Sequence, residues 1–177
     1  MKTNWTGLLR LPLAPKEVFH MWKFTDTNAH ARISLHDCRV NQIHTEGDDL
    51  ILDFYDGFRI LPTSNYIDHP VPLKTGPAQL CFRDIDIYPI DLYKTTRLFR
   101  RPILCRRMRI ELDQLINLVN HKHRELEFLY EYHRPGNNLY QCWLWNTKPR
   151  WWMECQFELT SDTIEYRWNE ILPDREW

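Results

Sequence analysis

The 177-residue sequence has no excess of charge of either sign, no long apolar run and no specific catalytic or metal-binding signature. Its 23 basic and 24 acidic residues give a formal charge of −1, so the net field does not favour nucleic acid or an anionic membrane as partner. No stretch approaches the roughly 20 apolar residues that a membrane span requires, and the first ten residues lack the apolar region of a signal peptide. We therefore expect a cytoplasmic protein without a membrane partner.

The cysteines are odd in number and widely scattered, which is typical of reduced, buried thiols rather than of a disulfide framework. The five cysteines are scattered from Cys38 to Cys155. Cys142 and Cys155 fall on neighbouring predicted strands and can face each other, but the expected compartment favours free thiols.

Apolar residues make up 43% of the chain and aromatic residues 14%, which is enough for a sizeable core. A chain of this length usually forms one domain, so we expect residues 1–177 to fold as a single globular domain.

Hydrophobic spacing predicts two short helices. Pro15 precedes apolar residues at helical spacing as far as Trp22. A second set from Leu112 to Val119 has the same spacing, with Asp113 near its start.

In most of the remaining chain, apolar and polar residues alternate with a period of two, which predicts β-strands. Asp56-Gly57 predicts a tight turn within a ladder of hairpins over about 36–61. Residues 62–77 contain four prolines, which predicts a long surface connection. The same alternation over residues 125–168 predicts four consecutive strands, with Tyr130 on the core side. The prediction is an α+β fold, mainly antiparallel β, as a bent sheet or a sandwich with two short flanking helices.

Two groups of residues are candidates for binding a partner. The first is the arginine stretch, residues 94–109, which contains seven basic and no acidic side chains after Asp91. Its guanidinium groups suit carboxylates or phosphates, although charges on a solvated strand explain it as well. The second is a tryptophan cluster near residue 147, in which we expect Trp152 alone to be exposed and the other rings to lie in the core. The candidate partner-binding residues are Arg100, Arg101, Arg106, Arg107 and Trp152.

Chemical sites have weaker support. His36 and Cys38 would share a face of a strand, but a buried thiol near a histidine is far commoner than a catalytic pair. His121 and His123 lack further ligands to complete a zinc site, and the end of a helix explains them. We therefore expect no metal or cofactor, and we favour a non-enzymatic protein.

The run His36-Asp37-Cys38-Arg39-Val40, then Asp49 to Phe54 and Asp56-Gly57-Phe58, resembles the opening hairpin of small uncharacterised bacterial β-rich proteins, including some toxin-immunity partners. The resemblance implies a function in binding, since immunity proteins of that kind act by binding.

The leading hypothesis is a cytosolic protein-interaction module with a protein partner, and self-association through sheet edges is a further expectation. One alternative is a small-molecule or carbohydrate-binding β-fold with an aromatic-lined pocket. The other is RNA binding through the arginine stretch, which the balanced charge makes unlikely.

Overall fold

The computed structural model describes residues 22–98, 101–122, 124–146 and 151–176. In chain order its strands are β1 (Phe24–Thr27), β2 (Ile33–Ser34), β3 (Arg39–Val40), β4 (Gln42–Glu46), β5 (Asp49–Phe54), β6 (Arg59–Ile60), β7 (Leu73–Thr75), β8 (Ala78–Phe82), β9 (Asp86–Ile87), β10 (Ile90–Leu98), β11 (Arg101–Ile110), β12 (Arg124–Arg134), β13 (Asn137–Asn146), β14 (Trp151–Thr160), β15 (Ile164–Trp168) and β16 (Ile171–Glu176). Within these ranges there is one helix, α1 (Leu112–Lys122).

Antiparallel pairing groups the strands into three sheets. The five-stranded sheet has the order β1-β15-β8-β5-β4, and the four-stranded sheet has the order β16-β7-β6-β2. The seven-stranded sheet has the order β11-β10-β14-β13-β12-β3, with β9 paired to β14. The prediction of a mainly antiparallel β fold is confirmed.

The prediction of two flanking helices is not matched among these residues. The second predicted helix is present as α1, and it buries Leu115 and Val119 in the core. The first predicted helix falls on residues 14–22, which lie outside the described residues except for Trp22.

The core lies between the five-stranded and the seven-stranded sheets. Phe82 of the first meets Tyr140 of the second with ring centroids 5.6 Å apart, and Phe54 meets Phe128 at 5.8 Å. These side chains are at most 1% exposed, so the two sheets pack around one shared interior. Each sheet has one inner face towards this core and one outer face away from it.

Helix α1 covers the edge of the five-stranded sheet at β4. Its Asn120 side chain accepts a hydrogen bond from the Ile43 N–H at 2.9 Å and donates one to the Ile43 carbonyl at 2.7 Å. The amide thus replaces a neighbouring strand at this edge, which would otherwise be open to pairing with another chain.

The predicted row of four strands over residues 125–168 is wrong at its last member. β12, β13 and β14 are neighbours in the seven-stranded sheet, but β15 lies in the five-stranded sheet opposite. The Ser161 hydroxyl donates to the Arg83 carbonyl at 2.7 Å and so holds the crossing segment against the end of β8. The predicted inward face of β15 is correct, because Trp168 is fully buried, but alternation of apolar and polar residues does not say which sheet a strand joins.

The predicted hairpin ladder is correct for β4 and β5 alone: β3 before them pairs with β12 of the other sheet, and the pairing beyond Asp56-Gly57 is also wrong. Gly57 has a φ of +71°, and a Cβ there would come within 2.3 Å of the Gly76 carbonyl oxygen. The turn leads the chain into β6, which pairs with β2 and β7 rather than with β5. The connection over residues 62–77 is also not all loop, since it contains β7.

Candidate functional site

The outer face of the seven-stranded sheet combines aromatic rings with charged side chains and is the candidate binding surface. Along β13 and β14, inner side chains such as Leu144 and Met153 are buried, whereas Trp143 is half-buried and Glu154 is exposed. Solvent reaches the face on β12 too, because Tyr130 is 56% exposed. The face is therefore not covered by another layer at these positions.

The strand register aligns six outer-face side chains in one row across the sheet, one from each strand except β9. From β3 to β11 the row is Arg39, Glu127, Trp143, Glu154, Tyr93 and Arg107. The row places a carboxylate between two aromatic rings near the middle and an arginine at each end.

The arginine at the β3 end is paired within the face. Arg39 Nε lies 2.6 Å from Glu127 Oε2, and its Nη1 lies 3.2 Å from Glu125 Oε2. Its guanidinium also lies over the Trp145 ring, 5.8 Å from the centroid. Two carboxylates and one indole thus hold this arginine.

The arginine at the β11 end is paired in a similar way. Arg107 donates to both carboxylate oxygens of Asp91, at 2.8 Å and 2.5 Å, and Arg109 Nε lies 3.5 Å from the same group. The hydrogen bond from Arg107 holds the pKa of Asp91 below its ordinary value, so this carboxylate stays ionised at neutral pH.

Glu154 differs from these carboxylates because it has no ion pair with any residue in the described ranges. Its Cα partners on the neighbouring strands are Trp143 and Tyr93. A cavity of about 240 Å³ lies at this point, lined also by Tyr130 and Gln141. The site combines an exposed carboxylate with three aromatic rings.

A β-bulge in β12 explains why Tyr130 belongs to this site. Phe128 pairs with Cys142 and Tyr130 pairs with Gln141, so Leu129 is an extra residue on its strand. Beyond the bulge the two faces exchange, and Tyr130 and Tyr132 point outward. The prediction that Tyr130 lies in the core is therefore wrong.

The tryptophan prediction is wrong for two of the rings. Trp151 packs against the core as expected, but Trp143 and Trp145 lie on the outer face with Trp152. Trp152 is half-buried, and its ring centroid lies 5.1 Å from that of Trp143. The error came from expecting core packing as the default for large rings, a default that fails where the sheet has an uncovered face.

The structure brings together only part of the predicted partner-binding set. Arg107 and Trp152 share the outer face, whereas Arg106 is exposed on the opposite side of β11. Arg101 begins β11, and Arg100 lies outside the described residues. The arginine stretch is therefore not one patch, and the strand that carries most of it forms an edge of the seven-stranded sheet.

The His36 and Cys38 pair does not have the expected geometry. His36 and Asp37 form a turn in which Asp37 has a φ of 58°, so the strand spacing that would align His36 with Cys38 is absent. Cys38 is 2% exposed, and burial raises the pKa of its thiol to about 12. The thiol is protonated at neutral pH and is a poor nucleophile.

No metal site is evident in the described part of the chain, where no three His, Cys, Asp or Glu side chains converge. His121 is exposed near the end of α1, and His123 lies outside the described residues.

Sequence reasoning missed a second polar cluster, on the inner side of β12 beyond the bulge. The His133 ring stacks on His30 with centroids 4.3 Å apart, and its Nε2 lies 3.5 Å from Glu131 Oε2. Asn138 donates to the Ser161 carbonyl at 3.3 Å, which turns its Oδ1 towards His133 Nδ1 at 2.8 Å. Only the bulge moves Glu131 and His133 inward, and no sequence signal marks it.

The two stacked histidines have opposite pKa shifts. Burial lowers the pKa of His133, but Glu131 and Asn138 favour the protonated ring more strongly, so the net shift is upward. Burial and the neighbouring His133 lower the pKa of His30. Of the two rings, His133 is therefore the preferred site of a proton at neutral to mildly acidic pH.

No family model matches the chain, and the comparisons with curated proteins and with solved structures found no match. Within the described residues, no helix is long and apolar enough to cross a membrane.

Proposed function

We propose that the protein is a non-enzymatic binding protein that recognises a protein partner through the outer face of its seven-stranded sheet. The observation that carries this proposal is the uncovered aromatic centre of the face, with Trp143 half-buried and Tyr130 56% exposed between internally paired charges. Protein interfaces have the same anatomy, with aromatic residues enriched in the centre and a polar rim around them.

The rim charges support a protein partner over a polyanion. Asp91 already engages Arg107 and Arg109, and Glu127 engages Arg39. An RNA phosphate would have to replace these carboxylates, so RNA binding through the arginine stretch has less support.

A cytoplasmic location is part of the proposal. Cys142 and Cys155 are Cα partners on adjacent strands, and both are buried and free. Neighbouring thiols without a disulfide fit a reducing compartment. An immunity-type role, in which binding blocks another protein, follows from the sequence resemblance alone.

The test compares two exposed tyrosines. Tyr130 lies on the outer face, and Tyr55 is 74% exposed in the turn after β5. The immobilised wild-type chain, Tyr130→Ala and Tyr55→Ala are used to capture partners from a lysate of the source cells, with quantification by mass spectrometry. A partner recognised through the outer face should be retained by Tyr55→Ala and recovered at least about tenfold less by Tyr130→Ala. Equal recovery with both variants would contradict the proposal.

A carbohydrate ligand is the second candidate function. Gln141 and Gln156 are Cα partners, and both line the cavity together with Tyr130 and Trp143. Amide groups beside aromatic platforms can hydrogen-bond sugar hydroxyls while the rings stack on the sugar. Saturable quenching of tryptophan fluorescence by a neutral oligosaccharide would favour this candidate over a protein partner.

A further inference from the structure

We propose that the cavity at Glu154 binds the guanidinium group of an arginine side chain presented by the partner. The inference rests on the proposed function, because it states what the outer face recognises. It concerns one position, where Glu154 lies between the rings of Trp143 and Tyr93.

The geometry suits a planar cation. Neighbouring strands in a sheet are about 4.8 Å apart, so the two rings flank the carboxylate within reach of one guanidinium. The cavity of about 240 Å³ is also lined by Tyr130, whose side chain is largely exposed. A cation entering here meets aromatic faces together with a carboxylate.

The face already holds one arginine by the same chemistry. Arg39 lies over the Trp145 ring and pairs with Glu125 and Glu127. Two residues before Trp145 on β13, Trp143 lies beside Glu154 and repeats the combination of indole and carboxylate. The described residues supply no arginine to Glu154, so the repeated site is open to an arginine from outside.

The surrounding charges favour a cation over an anion. Glu125 and Glu127 on β12 share Arg39, and Asp91 on β10 pairs with both Arg107 and Arg109, so every one of these charges has an opposite partner. The charge left uncompensated at the centre of the row is the carboxylate of Glu154. It repels phosphate or carboxylate ligands, and it attracts a basic group.

Arginine fits better than lysine for two physical reasons. A guanidinium is planar, so it can stack on an aromatic ring while its edge donates two hydrogen bonds to a carboxylate. A lysine ammonium is more strongly hydrated and cannot pair with a carboxylate in this two-pronged way.

The experiment titrates the full chain with a capped Gly-Arg-Gly peptide and with the same peptide carrying citrulline or lysine instead. Citrulline has nearly the shape of arginine but no charge. Binding is followed by NMR through the tryptophan indole signals. We expect saturation by the arginine peptide with a dissociation constant on the order of 1 mM, at least about tenfold weaker binding of the citrulline peptide, and intermediate binding of the lysine peptide.

Two isosteric variants locate the site. Glu154→Gln should weaken binding of the arginine peptide at least about tenfold. Glu46→Gln should leave binding unchanged, because the Glu46 side chain is 71% exposed on β4 of the other sheet. Both substitutions are at exposed positions, and far-UV circular dichroism checks that both variants fold.

The possible outcomes separate this inference from the proposed function. Equal binding of the arginine and citrulline peptides, or no loss with Glu154→Gln, overturns the arginine site even if Tyr130→Ala loses its partner. A partner that Tyr130→Ala captures as well as Tyr55→Ala does overturns the proposed function, even if the arginine peptide binds.

Discussion

Replacing Trp168 or Trp143 by alanine makes the same chemical change at two sites, and the structure predicts very different costs. Trp168 is fully buried, with ring centroids 5.0 Å from Tyr66 and 5.4 Å from Phe24. Removing a core tryptophan costs about 3–5 kcal/mol of unfolding free energy. Trp143 is half-buried on the outer face and chiefly loses its contacts with two neighbouring indoles, each of which is worth about 1 kcal/mol.

The assay is urea unfolding followed by far-UV circular dichroism, because both substitutions alter tryptophan fluorescence. With a slope of about 2 kcal/mol/M, Trp168→Ala should lower the midpoint by roughly 2 M and Trp143→Ala by about 1 M. Since a domain has only about 5–15 kcal/mol of stability, the first variant is expected to be marginal. If Trp143→Ala costs as much as Trp168→Ala, the assignment of Trp143 to an open face is wrong.

Three further predictions concern thiols, protons and the sheet edge. At mildly alkaline pH, iodoacetamide should label the exposed Cys105 quickly but spare Cys38 and Cys155, because burial raises the pKa of both thiols to about 12. Rapid labelling of either buried thiol would refute their placement. The pKa of His133 lies above its ordinary 6.5, so its stabilising contribution is full below that pH and is lost as pH rises through the raised value. His133→Gln should therefore flatten the pH dependence of urea stability over this window, and an unchanged profile would argue against the buried proton. Arg106 is exposed on the edge strand β11, where a charged side chain opposes pairing with another chain. Arg106→Val should therefore increase self-association in sedimentation experiments. A variant that associates no more than wild type would contradict this role.

Alternation in the sequence was enough to identify most strands and much of the core. Leu50, Leu52 and Phe54 are buried on one side of β5, and Phe157 and Trp168 are buried as predicted. These assignments succeed because a strand of period two must direct one set of side chains towards the interior.

The same reasoning could not assign strands to sheets. β15 has the same alternation as β14, yet it crosses to the opposite sheet, and the turn at Gly57 directs β6 into a third sheet. Sheet membership depends on contacts between residues far apart in the chain, such as the hydrogen bond from Ser161 to the Arg83 carbonyl. Local patterns carry little information about such contacts.

The candidate site was predicted in part. Trp152 and Arg107 do lie on the outer face, but Glu154 and Tyr93 reach the site only through strand register. The bulge at Leu129 reverses the faces of β12 beyond it, which brings Tyr130 to the site. A single unpaired residue has no signature in the hydrophobic pattern.

Hydroxyl-radical footprinting of the complex with a captured partner tests the central claim most directly, because it measures protection without altering the chain. The outer face predicts that Tyr130 and Tyr132, which are 56% and 52% exposed in the free chain, lose most of their reactivity on binding, whereas Tyr55 keeps its reactivity. Protection of Tyr55 with unchanged reactivity of Tyr130 and Tyr132 would contradict the claim that this face is the binding surface.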